Sequence, residues 1–83
     1  MKKFCERLKE LRSEKNLSRI QLANEVGFSE TSIRRWENEQ RIPNIEEVVK
    51  IAKFFNVSTD YLLGLSDYWF FYHFTYKKKY YIM

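Results

Sequence analysis

The stretch SRIQLANEVGFSETSIRRWENE, residues 18–39, decides the fold, because it contains the end of one short helix and the start of another. Ser18 and Gln21 have the spacing of a capping box, and Gly27 can adopt the left-handed conformation that ends a helix. Ser29 is a suitable N-cap for a second helix, only two residues after Gly27. Two helices joined so closely must cross at a steep angle, so the stretch predicts a helix-turn-helix unit.

The side chains of this unit divide into a packed face and an exposed face. Ala23 is small enough to let the two helices approach closely. Ile33 and Trp36, three residues apart on the second helix, point back toward the core. The opposite face of that helix carries Thr31, Arg34, Arg35 and Asn38. A helix that is packed on its back and presents polar and basic groups in front fits a DNA major groove.

Three further helices are predicted outside this unit. Apolar residues recur at helical spacing within residues 2–15, at Phe4, Leu8 and Leu11. After a connection that Pro43 keeps from being helical, Asn44 caps a fourth helix. Its buried face is expected to comprise Ile45, Val48, Val49, Ala52 and Phe55. Ser58 caps a short fifth helix, so residues 4–65 are predicted to form an all-α domain of five helices.

Size, charge and cysteine content limit the class of protein. Eighty-three residues provide one small core. The formal net charge is +4, but residues 1–66 contain 12 basic and 10 acidic side chains, so contact with a polyanion requires a local basic cluster. There is no signal-peptide pattern and no apolar run near the ~20 residues of a membrane helix. The lone Cys5, expected to be half-buried and unreactive, suits a reducing cytoplasm.

Residues 4–65 resemble the Cro/cI-type, or XRE-type, helix-turn-helix family of bacterial and phage repressors. The matching features are Leu22 with Ala23, Gly27, Ile33, Glu37 with Asn38, Pro43, Val57 with Ser58, and the closing run of Asp60, Tyr61, Leu62, Leu63 and Gly64. The resemblance covers all five helices in order, and not only the helix-turn-helix motif at about residues 19–38. It implies a lambda-repressor-like DNA-binding domain.

The resemblance also implies roles for individual side chains. The positions that match base-facing residues are Glu30, Thr31, Arg34 and Arg35. The positions that match phosphate-contacting residues are Arg19, Ser29, Asn38 and Arg41. Arg12 and Glu37 match a charge pair between the first and third helices, and the other structural positions are Ala23, Gly27, Ile33 and Trp36. Two residues depart from the family pattern: Arg19 stands where glutamine is usual, and Glu39 stands where glycine is usual.

Several of these residues have a second interpretation. Arg34 and Arg35 could form an ordinary solvated face, although the surrounding motif favours DNA contact. Glu30 could accept a hydrogen bond from cytosine, stabilise the start of its own helix, or repel nonspecific phosphate. Trp36 and Glu37 are expected to be structural, because Trp36 shares an apolar stripe with Ile33.

Residues 66–83 form an aromatic and basic tail that lies beyond the resemblance, and they contain nine of the chain's 15 aromatic residues. One interpretation is a β-strand at 68–76 that pairs with a second subunit. The residues expected at that dimer contact are Trp69, Phe70, Phe71, Tyr72 and Phe74. Membrane-surface attachment and a little-selected segment with A/T-rich codons are the alternatives. His73 lacks a second ligand at metal spacing.

The sequence therefore predicts a double-stranded DNA-binding regulator of transcription, a repressor that acts as a homodimer on a pseudo-palindromic operator. No cofactor and no membrane association are expected. The sequence offers no Ser/His/Asp set, metal cluster or glycine-rich phosphate loop, so an enzyme is not expected. The alternative is an antitoxin-like or antirepressor-like module that holds another protein through the tail. Binding that weakens steeply with salt would favour DNA over this alternative.

Overall fold

A computed structural model of the protein describes residues 2–67, which form five α-helices and no strand. The helices are α1 (Lys2–Glu14), α2 (Arg19–Val26), α3 (Glu30–Glu37), α4 (Ile45–Phe55) and α5 (Thr59–Leu63). The predicted all-α, five-helix architecture is confirmed for these residues. Within them, no helix combines the length and the apolar character needed to cross a membrane. The predicted tail strand, its dimer-contact residues and His73 lie outside the described residues.

The starts of four helices follow the predicted capping chemistry. The side chains that accept a hydrogen bond from a backbone amide three residues later are Ser18, Ser29, Asn44 and Ser58. In return, the Gln21 and Glu47 side chains accept hydrogen bonds from the backbone amides of Ser18 and Asn44. Helices α2 and α4 therefore begin with complete capping boxes. These bonds satisfy amides that have no partner inside their own helix. The helix boundaries are therefore determined largely by local sequence.

Left-handed backbone at three helix ends turns the chain back toward the core. Gly27 ends α2 with a φ of 79°, and its amide donates to the Ala23 carbonyl at 2.9 Å. Asn56 and Gly64 end α4 and α5 in the same conformation. Glu39, which follows α3, has a φ of 59°. The position where the family usually has glycine therefore adopts a glycine-like conformation here with a residue that carries a Cβ.

The core is built around Trp36 of α3. The largest fully buried apolar side chains are Phe4, Leu8, Leu22, Ile33, Trp36, Ile51 and Leu62. The rings of Phe4 and Phe28 meet the Trp36 indole edge-on, with centroid distances of 6.2 and 5.5 Å. Ala23 is buried where α2 packs on α3. This packing fixes one side of α3 and leaves the other side exposed.

The predicted buried face of α4 was wrong at its start. Ile45 is 81% exposed, and Ile51, which the prediction omitted, is fully buried. The buried residues are Val48, Ile51, Ala52 and Phe55. Two apolar stripes with the same helical spacing exist in α4, and local periodicity cannot choose between them. Packing against α2 and α5 selects the stripe that contains Ile51.

Replacing Glu39 with glycine should stabilise the fold, because glycine adopts a φ of 59° without the steric cost of a Cβ. We expect the free energy of unfolding to rise by about 0.5–1 kcal/mol, measured by urea unfolding. Gln40→Gly is the matched control, since Gln40 has no positive φ. It should leave the stability unchanged or lower it. A Glu39→Gly variant that unfolds at a lower urea concentration than the parent would refute this account of the loop.

Candidate nucleic-acid interface

The exposed side of α3 carries the residues that the sequence placed at a base-reading surface. Ile33 and Trp36 are buried on the opposite side of the helix. Thr31, Arg35 and Asn38 are exposed, and Glu30 and Arg34 are half-buried. Because α3 is packed through its apolar side, these polar groups have a fixed orientation relative to the domain.

Arg34 and Arg35 differ in their surroundings although they are neighbours. Arg34 Nη1 donates to Glu30 Oε1 at 2.8 Å, one helical turn earlier. Glu30 lies in the first turn of α3, where a carboxylate also interacts favourably with the helix N-terminus. The Arg35 side chain makes no ion pair with any residue in 2–67. Arg35 is thus the unpaired cation of this face within the described part of the chain.

Three of the four predicted phosphate-contacting residues lie at the ends of α3 or in the loop that follows it. Ser29 caps the start of α3, and its hydroxyl also contacts Ser32 Oγ at 3.1 Å. Asn38 is the C-cap of the same helix. Arg41, in the loop after α3, donates from Nη1 to Ser32 Oγ at 2.8 Å, and its guanidinium lies 5.8 Å from the Trp36 ring centroid. These contacts hold the Arg41 cation against α3.

Glu37 connects three helices through one buried carboxylate. Its side chain is 0% exposed. Arg12 of α1 donates from Nε to Oε2 at 2.6 Å and from Nη2 to Oε1 at 3.0 Å. Arg19 of α2 donates from Nε to the same Oε1 at 3.0 Å. Two guanidinium groups and one carboxylate leave one net positive charge at this junction.

The contact between Arg19 and Glu37 was missed from the sequence. The resemblance implied a pair of Arg12 with Glu37 and a phosphate contact for Arg19, but no link between Arg19 and Glu37. The available signal was the departure at position 19, where arginine can reach an acidic partner with a charge that the usual glutamine lacks.

Cys5 lies behind this junction and is buried, not half-buried as the sequence predicted. Its Sγ donates to the Glu37 carbonyl at 2.7 Å. Burial raises the pKa of the Cys5 thiol above its ordinary value, while Lys9 acts in the opposite direction. The thiol therefore packs α1 against the end of α3. Across residues 2–67, no group of His, Cys, Asp and Glu side chains is arranged to hold a metal ion.

Comparison with known proteins identifies relatives of one kind. A family model described as a helix-turn-helix domain matches residues 5–67. The uncharacterized HTH-type transcriptional regulator YobD of Bacillus subtilis is 38% identical over 64 residues, which are 77% of this chain and 57% of that protein. The HTH-type transcriptional activator BcrR of Enterococcus faecalis is 44% identical over 61 residues, which are 74% of this chain and 30% of BcrR.

A phage protein and a solved structure extend the comparison. The cryptic phage CTXphi transcriptional repressor RstR of Vibrio cholerae is 39% identical over 62 residues, covering 75% of this chain and 55% of RstR. The chain thus spans about half the length, or less, of these three relatives. The crystal structure of the restriction-modification controller protein C.AhdI from Aeromonas hydrophila superposes with a TM-score of 0.68 at 31% identity. That match covers 74% of this chain and 92% of C.AhdI.

Neutralising Glu37 should destabilise the fold far more than neutralising Glu30. In Glu37→Gln, two guanidinium groups would face a buried site without a carboxylate, and we expect a loss of about 3 kcal/mol or more in the free energy of unfolding. Glu30→Gln is the matched control, because its half-exposed pair with Arg34 contributes only about 0.5 kcal/mol. Urea unfolding measures both variants. Equal losses would show that Glu37 does not join the three helices as described.

Proposed function

Because the chain belongs to the Cro/cI-type, or XRE-type, helix-turn-helix family of transcriptional regulators, we propose that it binds double-stranded DNA sequence-specifically and regulates transcription. The observation that carries this proposal is the polar, basic face of α3, presented by a helix whose other side is locked in the core. Such a helix can enter the major groove with its side chains directed at base edges.

We assign the residues of the interface to two tasks. Base reading falls to Glu30, Thr31, Arg34 and Arg35. Phosphate contact falls to Arg19, Ser29, Asn38 and Arg41. Arg35 is exposed and carries a guanidinium that can bond guanine O6 and N7 in bidentate fashion. Arg41 contacts Ser32 and Arg19 contacts Glu37. Both cations therefore lie against α3, near its exposed face.

The finer proposal is a repressor that acts as a homodimer. Repression requires only that the bound protein occupy its site, which a domain of this size can do, and the relative RstR is named as a repressor. One recognition helix reads few base pairs, and a single small domain buries little surface on DNA. Two copies related by a two-fold axis would read half-sites of a pseudo-palindromic operator about one helical turn, ~34 Å, apart.

Two features of the described residues bear on association: the chain is anchored after α5, and apolar side chains are exposed. Arg7 is buried and donates from Nη1 to the carbonyls of Tyr61 and Ser66, so the chain enters the tail from a fixed point at the end of α5. Ile45 and Leu65 are 81% and 75% exposed, and Ile45 lines a groove between α4 and α5 together with Val48, Val49 and Leu63. We assign this exposed apolar surface to the contact between two copies.

The base-reading assignment predicts a loss of specificity in Arg35→Ala. On a duplex that contains the selected site, we expect a loss of about 1–3 kcal/mol in binding, with relaxed preference at one base pair. Binding to random-sequence duplex should change much less. Arg41→Ala is the comparison variant, since loss of a phosphate contact should weaken both duplexes alike and flatten the salt dependence. Equal losses on both duplexes for Arg34→Ala and Arg35→Ala would remove the base-reading role from α3.

Truncation after Asp67 tests the proposed dimer. The shortened chain keeps every buried residue of the described core. We expect it to fold, to sediment as a monomer and to bind the selected duplex far more weakly than the full chain. Ile45→Lys in the full chain tests the groove between α4 and α5 and should weaken the dimer. Full-length protein that is monomeric at micromolar concentration, or a truncated form that still dimerises, would exclude the tail as the dimer contact.

A further inference from the structure

Arg19 is held differently from the other residues assigned to phosphate contact. Its Nε donates to Oε1 of Glu37, at 3.0 Å, and that carboxylate is fully buried. The Arg19 side chain itself remains 36% exposed. A guanidinium has five N–H donors, of which Nε supplies one. Within residues 2–67, the two terminal nitrogens of Arg19 donate to no other residue, so four donors remain for an external acceptor.

The carboxylate that holds Arg19 is itself fixed in place. Arg12 donates two hydrogen bonds to Glu37 and a third, from Nη1, to the Leu17 carbonyl at 2.9 Å. The Arg12 side chain is only 18% exposed, so it is a partly buried anchor. Since Arg12 occupies both oxygens of Glu37, the carboxylate cannot rotate to follow Arg19. The orientation of the Arg19 guanidinium is therefore imposed by α1 and α3 as well as by its own helix.

The charge at this junction favours an anionic ligand. Arg12 and Arg19 supply two positive charges and Glu37 supplies one negative charge, which leaves one positive charge without a counter-charge in the cluster. Partial burial weakens solvent screening, so the remaining charge attracts an anion more strongly than a fully solvated side chain would. A phosphodiester oxygen at the open side of Arg19 would accept from the four remaining donors.

We propose that Glu37 is a positioning residue that holds Arg19 in advance of binding as a rigid clamp for one phosphate of the DNA backbone. The inference rests on the DNA binding proposed above. Binding normally carries the entropic cost of ordering a long, flexible arginine side chain. The hydrogen bond to Glu37 already orders the Arg19 side chain in the free protein. Lysine carries the same charge but lacks the planar fork that can contact carboxylate and phosphate together.

Arg19→Lys separates the clamp from simple charge attraction. The probe is a duplex that the full-length protein selects from a random-sequence library. We expect Arg19→Lys to bind it about fivefold to tenfold more weakly with an unchanged salt slope, because the charge is retained. Arg19→Gln, the residue usual in the family, should weaken binding further and lower the slope by about one. Arg41→Lys is the comparison variant at a second phosphate contact, and it should lose less affinity than Arg19→Lys, because Arg41 pairs with Glu47 only at 3.4 Å and that carboxylate is partly exposed.

Phosphate-ethylation interference adds a second measurement. If Arg19 were purely structural, its substitution would not change which phosphates interfere. Ethylation of one phosphate per half-site should block the parent protein and interfere less with Arg19→Lys, while the other interfering phosphates stay the same. Binding is measured where circular dichroism shows each variant fully folded.

The outcomes separate this inference from the proposed function. Parent protein that binds the duplex, together with an Arg19→Lys variant of equal affinity and identical interference pattern, would overturn the clamp and leave DNA binding intact. Interference lost at every phosphate in Arg19→Lys would also overturn it. A parent protein that binds no duplex at any salt concentration would overturn the proposed function and the clamp together.

Discussion

The buried carboxylate of Glu37 is the interaction on which the rest of the structure depends. A charge that is fully removed from water must be paired and hydrogen-bonded, or the fold loses several kcal/mol. Glu37 meets that requirement through two hydrogen bonds from Arg12 of α1 and a third from Arg19 of α2. Its backbone carbonyl also accepts from Cys5. The ion pairs therefore specify one arrangement of α1, α2 and α3, while the apolar contacts around Trp36 supply the packing.

This arrangement explains how a short helix can present a defined surface. An isolated helix of eight residues would not be stable in water. α3 is stable because Ile33 and Trp36 are buried on one side and Glu37 is anchored at its end. The polar groups on the opposite side then have a fixed position relative to the domain. In the proposed function, that rigidity lets a few side chains discriminate between base pairs.

The features predicted from the sequence were those determined over a few residues. Capping by Ser18, Ser29 and Asn44 and the left-handed turn at Gly27 depend on neighbouring backbone, and the structure contains all of them. The exposed face of α3 followed from helical periodicity. The misassigned face of α4 and the missed contacts of Arg19 and Arg7 have a different origin. The contacts join residues far apart in sequence, such as Arg7 and Ser66. The buried face of α4 depends on packing against α2 and α5. Only the packed fold determines either feature. The predicted dimer contact in the tail lies outside the described residues and stays a prediction.

Selection of bound duplexes from a random-sequence DNA library tests most directly whether this chain reads DNA sequence through α3. The account predicts enrichment of one motif made of two inverted half-sites about one helical turn, ~34 Å, apart. Its strongest preferences should be at base pairs that become degenerate when the exposed side chains of α3 are removed. Recovered sequences that cannot be distinguished from the starting library, at a salt concentration where the protein binds, would contradict the account.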